Sequence, residues 1–333
     1  MNELIPHRLR KSSRILVTSH VHPDGDAVGA LVAAALALES LGKRVALYNE
    51  SRIPAVYRFL PGADRIRRRL APPEAYDAAL VLDCSDLSRV GETGAELIRR
   101  VPMVINVDHH VTNTRFGDLH WIDTAACATA EMIYRLVKAM GVAIDPAMAT
   151  AIYTGIFTDT GSFRFANTNQ AAFSICNEMV ARGVEPYRVA KRVYGSYSLG
   201  RIKLLNLALD SLEISPDGRW SFMTLTRDMF AETGTQTEDI DGIINYAKRI
   251  RDVEVAVLIQ EPPAAEEPDR NGWLNVSLRS DGRVDVAALA SDFGGGGHRR
   301  AAGFSARGTA AGLKADILGW LEGRRNRRQS YGT

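Results

Sequence analysis

Acidic and imidazole side chains follow short apolar runs in the first half of this 333-residue chain. Three runs, at 15–19, 78–82 and 104–107, are followed by His20, Asp24 and Asp26, by Asp83, and by Asp108, His109 and His110, respectively. A further acid, Asp159, ends an apolar stretch and precedes a Thr-Gly turn. Carboxylates gathered in one pocket repel one another and cannot all stay ionised without cations. If the fold brings these residues together, they predict a metal centre.

The elements that carry these residues are predicted to form a mostly parallel sheet. Short β-type runs alternate with helical patterns such as 26–41, which Gly42 ends, and 129–140. Strands separated by helices are typical of an α/β fold with a parallel sheet. In open α/β sheets, ligands bind outside the carboxyl ends of the strands. The acids and histidines are therefore expected at one edge of one sheet.

The candidate metal ligands are mainly oxygen donors with some nitrogen: His20, Asp24, Asp26, Asp83, His109 and Asp159. This mixture favours Mn²⁺ or Mg²⁺ over structural Zn²⁺, and the imidazoles favour Mn²⁺ or another transition ion. The set is too large for one ion that also holds water and substrate. Two ions about 3.5–4 Å apart, as in two-metal hydrolases, would share Asp83 and together use the whole set of ligands. Each residue could have a structural role instead of binding metal. Asp24 and Asp26 in particular could cap the following helix, since Asp is a favoured N-cap residue.

Composition limits the class of protein. The chain is 46% hydrophobic and 24% charged with a formal net charge of +2, so bulk charge indicates neither a nucleic-acid nor a membrane partner. Three distant cysteines, Cys84, Cys127 and Cys176, cannot form a disulfide framework or a Cys-type zinc site. The longest apolar run, 27–38, is shorter than the roughly 20 residues of a membrane span. We expect a cytoplasmic protein of two domains.

The second half has a different organisation. It is predicted to contain a long helix at 194–213, strands at 220–226, 254–260 and 273–279, and helices at 237–250 and 284–293. Four glycines and His298 follow the last helix. The predicted organisation is a metal-binding domain at 1–190, a helical linker at 191–213, a smaller α/β domain at 214–323 and a basic flexible tail at 324–333.

These residues resemble the motifs of the DHH phosphoesterase superfamily. The matching positions of the first domain are His20, Asp24, Asp26, Asp83, Asp108, His109, His110 and Asp159. In the second half, the run from Gly294 to Gly303 with Ser277 and Arg279 resembles the DHHA1 domain of that superfamily. Together these motifs cover about residues 14–306. The resemblance is greatest to bacterial oligoribonucleases of the NrnA type.

The resemblance implies a role for each site residue. His20, Asp24 and Asp83 would bind one ion, and Asp26, Asp83, His109 and Asp159 would bind a second. Asp108 would orient the neighbouring histidines, and His110 would face the scissile phosphate. Arg279, His298 and the glycines Gly295, Gly296 and Gly297 would bind substrate phosphate, since glycines let backbone N–H groups approach an anion. His22 stands where many relatives have Asn, and a loop role is favoured for it.

The function implied is hydrolysis of short RNA to mononucleotides and of 3′-phosphoadenosine 5′-phosphate (pAp) to AMP. Some relatives also hydrolyse cyclic or linear di-adenylate. Two Mn²⁺ ions, or Mg²⁺ or another divalent ion, would activate a water. No aromatic pair indicates a platform for long nucleic acid, no membrane partner is expected, and a homodimer is one option. The alternatives are a family II-like inorganic pyrophosphatase, a non-catalytic nucleotide sensor and a DNA-directed exonuclease.

Overall fold

A computed structural model describes residues 4–195, 197–264 and 272–330, with the backbone alone for 324–330. The chain divides into two compact units, Met1–Ser196 and Tyr197–Thr333. In the described residues, no helix combines the length and the apolar character that crossing a bilayer requires.

A five-stranded sheet forms the centre of the first unit. Its strands are β1 (Arg14–Thr18), β2 (Arg44–Tyr48), β3 (Ala78–Leu82), β4 (Val104–Asp108) and β5 (Leu119–Ile122). They lie in the order β2-β1-β3-β4-β5, and every neighbouring pair is parallel. β3 and β4 are buried along their whole length, as expected for parallel strands covered on both faces. The predicted α/β class is confirmed.

Helices cover this sheet. They are α1 (Leu4–Lys11), α2 (Gly25–Ser40), α3 (Glu92–Ile98), α4 (Thr129–Ala139), α5 (Pro146–Asp159), α6 (Gln170–Ala181) and α7 (Pro186–Tyr194). Short 3₁₀ turns lie at Ala55–Tyr57, Ala63–Arg65, Pro73–Ala75 and Leu87–Val90. One apolar core contains α2, α4 and α5 together with one face of the sheet, and a second core contains α3 and the opposite face.

The crossing of α2 and α5 depends on glycine. A Cβ on Gly29 would lie 2.5 Å from the carbonyl oxygen of Ala151, and a Cβ on Gly25 would lie 2.3 Å from Thr158 Oγ1. On the facing helix, a Cβ on Gly155 would lie 2.5 Å from Ala130 Cβ and 3.0 Å from Asp26 Oδ1. The two helices therefore approach backbone to backbone, which brings the start of α2 beside the end of α5.

The second unit contains a six-stranded sheet. Its strands are β6 (Glu213–Ile214), β7 (Trp220–Leu225), β8 (Val255–Gln260), β9 (Trp273–Ser280), β10 (Gly296–His298) and β11 (Ala301–Arg307). The order is β10-β11-β9-β8-β7-β6, and among its neighbouring pairs β7 and β8 are parallel while the others are antiparallel. Its helices are α8 (Leu199–Asp210), α9 (Arg227–Thr233), α10 (Ile244–Lys248), α11 (Val286–Asp292) and α12 (Ala310–Ser330), with a 3₁₀ turn at Thr237–Ile240.

The predicted long helix at 194–213 is interrupted in the structure. α7 ends at Tyr194, and α8 begins after Ser198, whose side chain caps it by accepting the N–H of Arg201 at 3.0 Å. Leu204 and Ala208 of α8 are fully buried in a core of the second unit, so this helix is part of that unit's packing. The predicted linker at 191–213 thus divides between the two units.

Two other predictions differ from the structure in detail. The predicted helix at 237–250 is a 3₁₀ turn followed by α10, with Asp241 and the positive-φ Gly242 between them. α12 continues to Ser330, so the backbone at 324–330 is helical where a flexible tail was predicted. The side chains of that segment, residues 331–333 and residues 265–271 lie outside the described residues.

Candidate metal centre

The carboxyl ends of β1, β3 and β4 bring two histidines to one aspartate. His20 Nε2 lies 3.4 Å from Asp83 Oδ2, and His109 Nε2 lies 3.6 Å from Asp83 Oδ1. All three side chains are more than nine-tenths buried. The expected convergence at one sheet edge is therefore present for these residues, with Asp83 at its centre.

Asp83 occupies an unusual backbone position. Its φ is +53°, in the left-handed region that non-glycine residues seldom adopt, although Asp and Asn tolerate it best. The backbone N–H of Asp83 donates to the carbonyl of Val107 at 3.0 Å, and Thr129 Oγ1 donates to Asp83 Oδ1 at 3.0 Å. Strained residues of this kind persist where their surroundings hold them, and they cluster at functional sites.

Backbone carbonyls orient the rings of both histidines. His20 Nδ1 lies 2.8 Å from the oxygen of Val21, and His109 Nδ1 lies 3.3 Å from the oxygen of Ala126. A carbonyl can only accept, so each Nδ1 carries a proton and each Nε2 faces Asp83. This is the usual arrangement of metal-binding histidines.

Asp24 and Asp26 both cap helices. Asp24 Oδ1 accepts the N–H groups of Asp26 and Ala27 at 3.0 Å each, at the start of α2. Asp26 Oδ2 accepts the N–H of Thr129 at 2.6 Å, and its Oδ1 accepts that of Ala130 at 2.8 Å, at the start of α4. The capping of the following helix considered for both residues is therefore real for Asp24, whereas Asp26 lies in the first turn of α2 and caps α4 instead. Capping also fixes the orientation of both carboxylates at the edge that carries Asp83.

Asp159 reaches the same cluster from the last residue of α5. Its Oδ2 lies 3.8 Å from His109 Nε2. Asn167 Nδ2 lies within hydrogen-bonding distance of Asp159 Oδ2 at 3.0 Å, of the Asp159 carbonyl at 3.1 Å and of the Cys127 carbonyl at 2.8 Å. The amide thereby ties Asp159 to the segment that precedes α4.

Asp108 and His110 form a pair beside Asp83. His110 Nδ1 donates to Asp108 Oδ1 at 2.6 Å and lies 3.7 Å from Asp83 Oδ1. Asn113 Nδ2 donates to the other oxygen, Asp108 Oδ2, at 2.6 Å. Asp108 is fully buried, so its two oxygens hold the imidazole of His110 and the turn that follows β4.

The carboxylates of the cluster have perturbed pKa values. Burial, with the charges of Asp83, Asp159 and Asp24, raises the pKa of Asp26 well above its usual range. Burial likewise raises the pKa of Asp159 to about 7, with His109 and His110 opposing the rise and Asp24 and Asp83 adding to it. Burial alone would raise the pKa of Asp83 too, but the His20 hydrogen bond and the neighbouring imidazoles hold it far below its usual value.

The arrangement fits divalent cations. The ligand atoms of His20, Asp24 and Asp83 lie within 4.8 Å of one another, and so do those of Asp26, His109 and Asp159. Asp83, Asp108 and His110 form a further group by the same measure. Several acids that cannot all ionise together, beside the Nε2 atoms of His20 and His109, form a donor set that cations would neutralise.

The predicted phosphate-binding residues of the second unit share one level of its sheet. His298 of β10 is opposite Ala301 of β11, and Ala301 is opposite Arg279 of β9. Directly opposed residues point to the same face, so imidazole and guanidinium flank the small Ala301, roughly two strand spacings or 10 Å apart. Arg279 Nη1 donates to the carbonyl of Leu278 at 3.0 Å.

Close contacts that the sequence did not reveal require glycine at two positions of the run 294–297. A Cβ on Gly295 would lie 2.2 Å from the carbonyl oxygen of Gly303, and a Cβ on Gly297 would lie 2.6 Å from that of Ala301. Gly297 also has a φ of +141°. In contrast, a Cβ on Gly296 would meet no atom within 4 Å. Gly295 and Gly297 are required by the hairpin itself, whereas Gly296 is not.

Several contacts of the site were missed from the sequence. Thr129, Asn113 and Asn167 each donate to a candidate site carboxylate from outside the motifs. Asn167 lies eight residues after Asp159 in the sequence, but nothing in this spacing identifies Asp159 as its hydrogen-bond partner. His22 is exposed with a φ of +53°, and its N–H donates to Ser51 Oγ at 3.0 Å, in keeping with a loop role.

Comparison with known proteins identifies the family. Residues 14–156 match the DHH family, N-terminal domain, and residues 222–318 match the DHHA1 domain. A Thermus thermophilus protein named bifunctional oligoribonuclease and PAP phosphatase NrnA is 33% identical over 88% of this chain and 84% of its own. The chain belongs to the DHH family. The predicted class of enzyme, a phosphoester hydrolase, is confirmed with it.

Solved structures support the same assignment. An exopolyphosphatase-related protein from Bacteroides fragilis superimposes with a TM-score of 0.86 at 25% identity, covering 96% of this DHH chain and 94% of its own. RecJ from Thermus thermophilus in complex with Mn²⁺ superimposes with a TM-score of 0.55 at 16% identity, covering 95% of this chain and 53% of its own. The second likeness concerns the fold alone.

Proposed function

We propose that this DHH-family chain hydrolyses short oligoribonucleotides to mononucleotides and pAp to AMP, using two divalent cations. The observation that carries the proposal is the convergence of His20 and His109 on Asp83 at one sheet edge. The name of the Thermus thermophilus relative supports the substrates. The manganese complex of RecJ, which is similar in fold, supports a divalent cation at the site.

The proposed ligands form two groups that share Asp83. One group is His20, Asp24 and Asp83, and the other is Asp26, Asp83, His109 and Asp159. When bound, two Mn²⁺ ions would supply Lewis-acid stabilisation of phosphoryl oxygens and lower the pKa of a water. Mixed oxygen and imidazole donors favour Mn²⁺ over Mg²⁺, which prefers oxygen donors alone.

The chain's own residues prepare the site for this chemistry. The carbonyls of Val21 and Ala126 fix the rings of His20 and His109 so that Nε2, the nitrogen proposed to bind a cation, faces Asp83. Asp108 binds His110 through Nδ1, so Nε2 is the nitrogen that His110 presents to the substrate phosphate. Because Asp108 is fully buried and also held by Asn113, this imidazole keeps one orientation during turnover.

Substrate phosphate is proposed to bind the second unit at Arg279 and His298. They share one level of the sheet on either side of the small Ala301, and we propose that both side chains bind the same anion. A planar guanidinium can hold phosphate through two parallel hydrogen bonds. Of the three glycines predicted to bind phosphate, Gly296 is the one with nothing within 4 Å of its Cβ position, so we propose that its backbone approaches such an anion.

A comparison of wild type with Asp83→Asn tests the proposal. Asn is nearly isosteric and tolerates the left-handed φ, so the variant should fold, whereas loss of the shared carboxylate should reduce turnover by about 1,000-fold. Initial rates with Mn²⁺ would be measured on a short RNA, pAp, di-adenylate, a DNA dinucleotide and pyrophosphate. Asp64→Asn, at an exposed acid in a distant 3₁₀ turn, is the control.

Three results would contradict the proposal. Pyrophosphate as the best substrate would favour the pyrophosphatase alternative. Binding of pAp without release of phosphate would favour a non-catalytic sensor. Full Mn²⁺-dependent activity of Asp83→Asn would show that the cluster is not the reaction centre.

A further inference from the structure

The segment that follows Asp159 has an uncommon backbone. Gly161, Ser162 and Phe163 have φ values of +56°, +61° and +63°, so three consecutive residues are left-handed. For a bulky residue such as Phe163 this conformation is a genuine outlier. Residues of this kind persist only where the surrounding structure holds them.

Local contacts hold this segment in place. The N–H of Phe163 donates to Thr160 Oγ1 at 3.1 Å, and the N–H groups of Arg164 and Phe165 donate to the Thr160 carbonyl at 2.9 and 3.0 Å. The ring of Phe163 stacks on that of Phe173, with 5.1 Å between centroids. The position of Phe165 is therefore fixed by its own main chain and by the packing of its neighbour.

One face of the Phe165 ring rests on glycine. A Cβ on Gly161 would lie 2.4, 2.5 and 2.6 Å from ring atoms Cζ, Cε1 and Cε2 of Phe165. Similar distances to three ring carbons place that Cβ position over the face of the ring and not at its edge. Phe165 is nevertheless 52% exposed, so the ring is covered on one side and open on the other.

The same segment is bonded to a proposed metal ligand. Asn167, two residues after Phe165, has its Nδ2 3.0 Å from Asp159 Oδ2 and 3.1 Å from the Asp159 carbonyl. Phe165 is thus in a short loop anchored at both ends to Asp159. The exposed aromatic ring therefore belongs to the loop that follows a proposed metal ligand directly.

We propose that Phe165 stacks on a nucleobase of the substrate and so selects nucleotides over base-free phosphate compounds. The inference rests on the proposed function. Every base has a π-face, and stacking on an aromatic side chain is a general way to bind nucleotides without reading their sequence. Pyrophosphate and polyphosphate have no such face, so a preformed platform would give them no advantage.

The test uses ligands that differ only in the base. Dissociation constants of AMP and ribose 5-phosphate would be measured by calorimetry for the Mn²⁺-loaded full chain. Wild type would be compared with Phe165→Ala, with Phe165→Leu, which is apolar but not aromatic, and with Phe165→Trp. We expect wild type and Phe165→Trp to bind AMP about 10-fold more tightly than ribose 5-phosphate, and both other variants to lose that preference.

Control measurements separate stacking from support of the fold. The midpoint of thermal unfolding, the Mn²⁺ affinity and the affinity for ribose 5-phosphate should be the same in all four proteins. Retention of the AMP preference by Phe165→Leu would show that aromaticity is not needed. Equal weakening of both ligands, or loss of Mn²⁺ affinity in Phe165→Ala, would make the ring a support for Asp159. Each of these results would overturn the inference.

Hydrolysis of pAp distinguishes this inference from the proposed function. If pAp is hydrolysed with the same KM by wild type and Phe165→Ala, the proposed function stands and the stacking role is wrong. If AMP binding depends on the aromatic ring but no nucleotide is hydrolysed, the stacking role stands and the proposed function is wrong.

Discussion

Asp26 caps a helix that begins 103 residues later in the chain. Its Oδ2 accepts the N–H of Thr129 at 2.6 Å, and its Oδ1 accepts that of Ala130 at 2.8 Å. The residue before Thr129 is Ala128, which has no side chain for capping, so Asp26 satisfies the first turn of α4. A side chain proposed to bind metal therefore also holds two helices in register, and its position depends on how closely they pack.

Gly155→Ala should disturb both the helix capping and the proposed metal binding of Asp26. The new methyl group on α5 would lie 2.5 Å from Ala130 Cβ and 3.0 Å from Asp26 Oδ1, so α5 must move away from α2 and α4. We expect unfolding free energy to fall by about 1–3 kcal/mol, as in other overpacked cores, and Mn²⁺ affinity to fall with it. Chemical denaturation and calorimetric metal titration would measure the two effects.

Gly319→Ala is the matched control for that substitution. Gly319 also lies inside a helix, α12, but a Cβ there would meet no atom within 4 Å. Because alanine favours the helix, this variant should gain up to about 1 kcal/mol of stability. Equal behaviour of the two variants would refute the role assigned to the close crossing of α2 and α5.

Asn167→Ala should weaken metal binding more than it weakens chemistry. Its amide orients Asp159 without being a proposed ligand, and loss of such a partner typically reduces metal affinity by about 10–100-fold. We expect the rate at subsaturating Mn²⁺ to fall while the rate at saturating Mn²⁺ largely recovers. A loss of rate that excess Mn²⁺ does not restore would contradict this positioning role.

The sequence predicted the sheet better than the helices around it. β1, β3 and β4 are short, mostly apolar runs followed by acids or histidines, so their type and the edge they share could be inferred. α5 was not predicted because it is buried on several sides, which removes the apolar period that reveals an amphipathic helix. β5 is short and only partly buried, and it too gave no clear pattern.

The contacts that orient the site were beyond sequence reasoning. Thr129 donates to Asp83 across 46 residues and its N–H to Asp26 across 103, and only the folded chain brings such positions together. For the glycine run, the sequence suggested a binding role where the structure shows a packing requirement. The composition of the run predicted a phosphate cradle, but two of its members are needed where β10 and β11 approach closely.

Gly296→Ala separates the phosphate role of that run from its role in the hairpin. The Cβ of this variant would contact nothing within 4 Å, so stability should change by less than about 1 kcal/mol. If the backbone at this position approaches substrate phosphate, KM for pAp should rise about 10-fold with kcat little changed. Gly297→Ala, in contrast, should lower the unfolding temperature. An unchanged KM in a stable Gly296→Ala protein would show that this glycine does not bind phosphate.

Glu178→Gln should remove a stabilising contribution that depends on pH. Hydrogen bonding from Tyr134, with Arg182 and Lys138, lowers the pKa of Glu178 from 4.5 to about 2 against the opposing effect of burial. Because the folded state keeps this carboxylate ionised below the pKa of the unfolded chain, its contribution is complete above pH 4.5 and is lost as the pH falls toward 2.

The size and sign of that effect can be checked directly. Since Glu178 is partly exposed and screened by solvent, we expect Glu178→Gln to cost about 1 kcal/mol of unfolding free energy at pH 7. The difference from wild type should shrink as the pH is lowered below 4.5, because protonation removes from the wild type what the substitution has already removed. Glu96→Gln, at an exposed position of α3, should show no such convergence. Urea unfolding at several pH values would measure it, and a difference that stays constant down to pH 3 would mean that Tyr134, Arg182 and Lys138 do not stabilise the ionised form.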